Sequence, residues 1–283
     1  MKGFIVDIQF IWGFQSRIIG LSKTNPSFYY PPPTTFLGAL SAVIAKRYSF
    51  GEKKGLKVIE ALSQNVLAIG LRPMNCIPLK YQDINRIIAV RIRSGKLYPI
   101  VKDPWGSFDS PARGKTILSS LDDDPPTIRW FIIFEKEEIS VDNEEIPISS
   151  KYFWEINRLG SKESVVSVKN VQEIIESDLK MHDNRVITNY SFPLDNGVNP
   201  RDAIEESWVR EIYLNPRKGI LYRKDENPLT YYLKGEKTSV YYLPILSIGG
   251  EEIKPPKYEV IVSRPFTAYQ FGEEVIIGCQ PTS

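Results

Sequence analysis

The chain has 283 residues, 42% of them hydrophobic and 25% charged, and its 36 basic and 34 acidic side chains leave a net charge of +2. Apolar content this high with so little net charge excludes a disordered chain, and a chain of this length buries about three quarters of its unfolded surface. Near-neutrality also excludes a global basic field, so any nucleic-acid site has to come from local segregation of charge.

Two cysteines, Cys76 and Cys279, exclude a disulfide scaffold and an all-cysteine metal site, and suit a reducing compartment. The apolar stretch Phe36 to Ala45 is half the roughly 20 residues of a membrane span, and no signal-peptide pattern opens the chain. The expectation is a soluble cytoplasmic protein with no membrane contact. The single histidine, His182, lies in a polar run and reads as an exposed loop or helix-end residue. Histidine-based metal or nucleophilic chemistry would rest on it alone.

Phe4 to Ile11 reads as a strand, rich in β-branched and aromatic residues, broken by Trp12-Gly13-Phe14. After Tyr30-Pro31-Pro32-Pro33-Thr34-Thr35 the spacing predicts a helix over Phe36 to Arg47, capped by a threonine hydroxyl, with Lys46 and Arg47 complementing its last turn. Leu37, Leu40 and Ile44 form one stripe, Gly38, Ala42 and Ala45 allow close approach to a sheet, and a helix this apolar all round is expected to be buried. Leu56 to Gln64 continues helically and Val66 to Leu71 is a second strand.

Residues 72–115 carry nine basic and three acidic side chains, an excess of six positive charges, and within them Ile87 to Val101 reads as a hairpin around Ser94-Gly95. Tyr98, Trp105 and Phe108 accompany the charge, a pattern that suits a single-stranded nucleic acid groove and equally a solvated hairpin. Residues 122–145 reverse the sign, with nine acidic and two basic groups around the strand Thr127 to Phe134. Trp130, Ile132 and Phe134 of that strand read as core, not as a stacking platform.

A helix is expected over Ile148 to Leu159, capped by Ser149 or Ser150, then the turn Gly160 to Ser164 and a strand over Val165 to Val168. Strand, helix, strand, strand, helix, strand is the order of a ferredoxin-like or RRM-like unit. The fold class is therefore α+β, followed by a β-rich region with candidate strands at 208–214, 240–246, 257–263 and 273–278.

Gly114-Lys115-Thr116 lacks the glycine a P-loop needs five positions earlier, where Asp109 stands, and reads as a flexible basic loop. In the turn Arg158-Leu159-Gly160-Ser161-Lys162-Glu163-Ser164, the amides and hydroxyls of Gly160, Ser161 and Ser164, with the charges of Arg158 and Lys162, suit an anion. An ordinary helix C-cap with a solvated lysine fits the same residues.

Trp12-Gly13-Phe14, the segment Tyr30 to Leu40 and the segment Arg158 to Val168 together resemble the Cas-five family, RAMP-superfamily subunits of type I CRISPR Cascade complexes, with the archaeal type I-A branch most similar. The resemblance covers roughly residues 1–70 and 150–170. It implies an RRM-like domain over 1–172 with a β-hairpin thumb inserted at about 72–126, and a β-rich C-terminal region over 173–283.

It further implies a non-catalytic subunit that caps the 5′ handle of the CRISPR RNA while contacting the Cas-seven backbone subunit and the Cascade large subunit, with no small-molecule cofactor. The expected RNA-binding residues are Lys46 and Arg47 beside the first helix, Arg91, Arg93 and Lys96 of the thumb, and Arg158, Gly160, Ser161, Lys162 and Ser164 of the turn. The family's type I-C branch cuts precursor RNA with a tyrosine and an adjacent lysine and histidine. No Lys-His pair occurs here, which argues against nuclease activity. An endoribonuclease and a pure assembly scaffold remain the alternatives.

Overall fold

The computed structural model describes residues 1–16, 24–84, 87–88, 92–93, 96–97, 108–109, 112–203, 207–219, 228–249 and 252–282. The N-terminal strand β1 (Lys2–Phe10) leads to helix α1 (Pro33–Arg47), helix α2 (Glu52–Asn65) and strand β2 (Val66–Pro73). A long ribbon of β3 (Cys76–Ile84) and β4 (Ala112–Ser120) leaves the sheet and returns to β5 (Thr127–Phe134). Short helix α3 (Ser150–Trp154) and strand β6 (Val166–Ile175) follow. Further on come β7 (Lys180–His182), β8 (Trp208–Leu214), β9 (Thr238–Pro244), β10 (Phe266–Phe271) and β11 (Glu274–Cys279). The molecule is α+β and strand-rich.

The main sheet runs β6-β1-β5-β2-β11-β10-β7, antiparallel throughout. Alternation along the strands fills both faces. Phe4, Val6, Ile8, Trp130, Ile132 and Leu71 point to the helices, where Phe36 stacks on Trp130 at 4.6 Å. Ile5, Phe131 and Ile133 point the other way, onto Tyr190, Tyr269 and Ile276. Trp130, Ile132 and Phe134 are fully buried, in keeping with the core reading of that strand.

Part of the C-terminal region joins the main sheet and its core, and part packs around a cluster of its own that includes Val186, Phe192, Val198, Val260 and Val262. Tyr213, Tyr241 and Leu243 join the core under the helices, and β10 and β11 extend the sheet beyond β2. The expected boundary at residue 172 falls inside β6, whose pairing with β1 runs to Ile175 opposite Lys2. Strands Val198–Ala203 and Asn184–Thr188 flank Tyr258–Val262 in a separate small sheet.

Several sequence expectations change. Helix α1 begins at Pro33 with no side-chain cap: the prolines fix its first turn, and the Thr35 and Phe36 amides donate to the Pro32 carbonyl. The helix expected over 148–159 ends at Trp154, because tertiary pairing claims the backbone beyond it. The Val166 amide donates to the Asn157 carbonyl and the Leu159 amide to the Ser164 carbonyl, while Ile156 and Leu159 still reach the core. Gly114-Lys115-Thr116 is not a loop but part of β4, with the Thr116 hydroxyl donating to the Phe28 carbonyl at 2.6 Å.

His182 closes β7 opposite Ala268 and is half-buried, in a strand and not in a loop or at a helix end. No helix among the described residues is long and apolar enough to cross a membrane.

Candidate functional site

Helix α1 is not buried all round. The face carrying Leu37, Leu40 and Ile44 packs on the sheet, whereas Ala42 and Lys46 are exposed. Gly38, Ala42 and Lys46 recur every four residues and so lie above one another on one helix face. Opposite that face runs the irregular segment Glu155 to Gly160, held in place by the bridge of Arg158 with Val165 and by the Val166 amide on the Asn157 carbonyl. Between them lies an open groove of about 530 Å³, floored by Gly38, Ala39 and Ala42 and edged by Lys46, Asn157 and Arg158.

The charges in the groove are unequal. Glu155 is held by the Arg47 guanidinium, whose Nε lies 2.7 and 2.9 Å from the two carboxylate oxygens. Those hydrogen bonds outweigh the opposing effect of burial and, with help from the Arg47, Lys46 and Lys151 charges, keep Glu155 below the usual carboxylate range. Arg47 is thereby committed. Among the described residues, Lys46, Arg158 and Lys162 form no ion pair, so the groove and its rim present uncompensated positive charge.

The turn after Arg158 is not a helix C-cap. Arg158 and Val165 form an antiparallel bridge, and the Ser164 amide donates to the Ser161 carbonyl at 3.0 Å. Gly160 adopts φ +108°, and a Cβ there would lie 2.8 Å from the Gln15 carbonyl oxygen. The loop is stitched to the segment after β1: the Ser161 amide donates to the Gln15 carbonyl, and the Gln15 amide donates to Ser164 Oγ at 2.9 Å. Ser164 is fully buried, so its hydroxyl braces the loop. Gly160, Ser161 and Lys162 remain toward the outside, and the Gly160 and Lys162 amides make no backbone hydrogen bond among the described residues.

This loop also meets the root of the ribbon. Gly13–Phe14 pairs with Thr116 and Ile117 of β4, Trp12 Nε1 donates to the Glu163 carbonyl at 2.9 Å, and Lys115 Nζ lies 3.8 Å from a Glu163 carboxylate oxygen. The two ends of the ribbon are clasped by buried Asn75, which accepts from the Thr127 amide and donates to Asp122 Oδ1 at 2.7 Å. Farther out, the backbone of Ile92–Arg93 pairs antiparallel with that of Lys96–Leu97, and the expected turn at Ser94-Gly95 lies outside the described residues. Arg91 lies outside the described residues, as do the side chains of Arg93 and Lys96.

The structure thus brings Lys46, Arg158 and Gly160 to one groove, with Ser161 and Lys162 beside it and Arg47 and Ser164 in bracing roles. Sequence reasoning missed Asn157 and took the small residues of α1 for a sheet contact. The signal was present in their four-residue spacing, which carries Lys46 on the same face.

A protein of known structure, a CRISPR protein from Archaeoglobus fulgidus, aligns over 99% of this chain and 100% of its own, at 42% identity and a TM-score of 0.71. Two proteins of Saccharolobus solfataricus are similar over 86% of this chain and 94% of their own length. One, CRISPR system aCascade subunit Cas5 1, is 24% identical, and the other, CRISPR-associated protein Cas5 3, is 25% identical. No protein-family model matches. With near-complete overlap at 42% identity to a solved CRISPR protein and full-length likeness to two Cas5 sequences, the chain belongs to the Cas5 family of archaeal type I CRISPR systems.

Proposed function

We propose that the chain is a non-catalytic subunit of a type I CRISPR effector complex, and that it holds the 5′ handle of the CRISPR RNA along the groove between α1 and the 155–160 segment. The observation that carries this reading is the pair of uncompensated cations, Lys46 and Arg158, facing each other across a groove with a floor of small residues. A phosphodiester strand gains ionic hydrogen bonds there without breaking an internal pair. The amides of Gly160 and Lys162 extend the same anion-binding edge toward the ribbon root.

In this reading the first, second, third and fourth strands of a ferredoxin-like unit are β1, β2, β5 and β6, and the ribbon is the thumb. By sequence the ribbon segment carries the positive excess of residues 72–115, and its root touches the 158–165 loop. The outward face of the ribbon, with exposed Leu79 paired to exposed Ile117, suits contact with a neighbouring protein subunit. Base pairing by the guide would then read the target, and this subunit would hold backbone geometry.

The test is the salt dependence of handle RNA binding by the purified protein or the assembled complex. The logarithm of affinity should fall linearly with the logarithm of salt, and Arg158→Ala with Lys162→Ala should flatten the slope by about 0.7 per lost phosphate contact. An unchanged affinity and slope would remove this loop from the site. Specific cleavage of repeat RNA by the protein without added metal would replace the non-catalytic assignment with the nuclease one.

A further inference from the structure

We infer that the groove is a single-nucleotide pocket and that Asn157 is its specificity-determining residue, hydrogen-bonding the edge of one base of the bound strand. The inference rests on the handle-binding reading above and deepens it. A volume of about 530 Å³ falls in the range of small-ligand sites, large enough for a nucleotide and too small for a folded RNA element.

The floor formed by Gly38, Ala39 and Ala42 is nearly flat, because no side chain there extends past one carbon, and a planar base can lie flush against it. Lys46 and Arg158 stand at the edges, where the flanking phosphates would be. Glu155, the carboxylate in the groove, is neutralised by Arg47. No unpaired carboxylate therefore opposes an anion at the rim, and the rest of the lining is apolar (Val43 and Ile156 beside the small residues) except for Thr35 and the Asn157 amide.

Asn157 is that amide. Its backbone carbonyl is fixed by the Val166 amide at 3.0 Å, which pins the residue at the groove wall. Its side chain is exposed and forms no hydrogen bond among the described residues. A carboxamide offers one donor and one acceptor side by side, the pattern that reads a base edge in a single-stranded segment. Its neighbours in the groove do not offer that pair: Lys46 and Arg158 only donate, and Thr35 has a single hydroxyl, which lies 3.3 Å from Ser16 Oγ.

The experiment measures fluorescence anisotropy of labelled single-stranded RNAs carrying the repeat-derived handle, with the base replaced at one position at a time. The expected result for the unaltered protein is a preference of about tenfold for one base at one position, the scale of a single two-hydrogen-bond amide–base contact. Asn157→Ala should erase that preference at that position alone and keep the salt slope. Lys46→Ala with Arg158→Ala should flatten the slope and keep the preference. Ala42→Leu, a change at an exposed helix position checked for folding by its thermal melt, should weaken handle binding by filling the floor.

Equal affinity for every base at every position would overturn the inference and leave handle binding standing, as would an unchanged base preference in Asn157→Ala or undiminished binding by Ala42→Leu. Mononucleotides competing as well as the oligonucleotide would overturn it by making a free nucleotide the occupant. Absence of salt-dependent RNA binding would remove both this inference and the reading it rests on.

Discussion

At Gly160 the chain passes within van der Waals contact of the Gln15 carbonyl in a backbone conformation that L side chains rarely adopt. Glycine is needed here on two counts, the positive φ and the missing Cβ. Gly160→Ala is expected to cost about 2 kcal/mol, the scale of one strained residue plus a forced shift. It should also weaken handle RNA binding, since the shift displaces Arg158 and Lys162 together. A denaturant titration reads the first effect and RNA anisotropy the second; a stability equal to that of the unaltered protein would show that the loop accommodates a side chain. The sequence made this residue visible as a turn glycine, yet could not separate a helix C-cap from a stitched loop. The difference lies in the Gln15 carbonyl, 145 positions away along the chain.

At the scale of elements, regular segments with strong periodicity were legible and segments decided by tertiary contacts were not. Strands β2 and β5 and helix α1 match their apolar patterns within a few residues. The 148–159 segment carries a helical pattern too, in Tyr152, Phe153, Ile156 and Leu159, and all four are buried. Half of that pattern is satisfied in irregular backbone held to the start of β6, because pairing with a strand gives the same burial and uses the backbone groups as well. Within the basic excursion, Ile92–Arg93 pairs with Lys96–Leu97 as the expected hairpin requires, whereas Ile87–Ile88 pairs with Phe108–Asp109 and not with the arm expected to end at Val101. The attachment of the excursion was not legible.

That attachment rests on Lys80 of β3. Lys80 Nζ lies 3.0 Å from Glu211 Oε1 of β8 and 3.8 Å from the centre of the Tyr29 ring. Glu211 also accepts from the Tyr29 amide and the Tyr213 hydroxyl. Burial pushes Glu211 up, and Lys80, the Tyr29 amide and Tyr213 only partly oppose it. Lys80→Met should therefore strand a buried carboxylate and cost about 2 kcal/mol, less than the roughly 3–5 of a fully buried pair because Lys80 is partly exposed. Glu211→Gln in that background should recover part of the loss. Thermal melts of the single and double variants check the coupling; additive effects would mean that the two side chains act independently.

The whole molecule is tied together across its two nominal halves by one chain of charges. Asp7, Arg129 and Arg72 stand directly opposite one another on β1, β5 and β2. Arg129 grips Asp7 through two hydrogen bonds of 2.6 and 2.8 Å. From the C-terminal strand β11, Glu274 Oε1 accepts from Arg129 at 2.7 Å and from Arg72 at 2.8 Å. Burial alone would raise Glu274, but the two guanidiniums overcome it and hold the carboxyl below its ordinary value.

A carboxylate whose folded value is depressed adds stability that is complete above its unfolded value, about 4.3, and is lost as pH falls through the folded value. Glu274→Gln should thus cost about 2 kcal/mol at neutral pH, with the deficit shrinking toward zero in acid. Urea titrations across pH check the sign; a constant deficit at every pH would mean that the loss is one of shape and not of charge.

The same geometry predicts how many times the protein unfolds. Gly278 of β11 sits against Ala68 of β2 so closely that a Cβ on it would fall 2.4 Å from the Ala68 Cβ, and Tyr190, Tyr269 and Ile276 cover one face of β1, β2 and β5. Tyr213, Tyr241 and Leu243 fill the core on the other face. A fragment ending near residue 172 would expose Ile5, Leu67, Phe131 and Ile133 to water, at roughly 1.5–3 kcal/mol for each large side chain, a sum that exceeds the few kcal/mol by which domains are stable. The sequence order of strands and helices left open whether the C-terminal residues form a domain or an extension, because periodicity identifies an apolar face and not what covers it. The full chain should unfold in one transition, with Trp fluorescence, which includes fully buried Trp130, and far-ultraviolet circular dichroism giving coincident curves. Two separated transitions would mean that the C-terminal strands dock on an already stable domain, and Gly278→Val, which wedges β11 away from β2, would then abolish only the first of them.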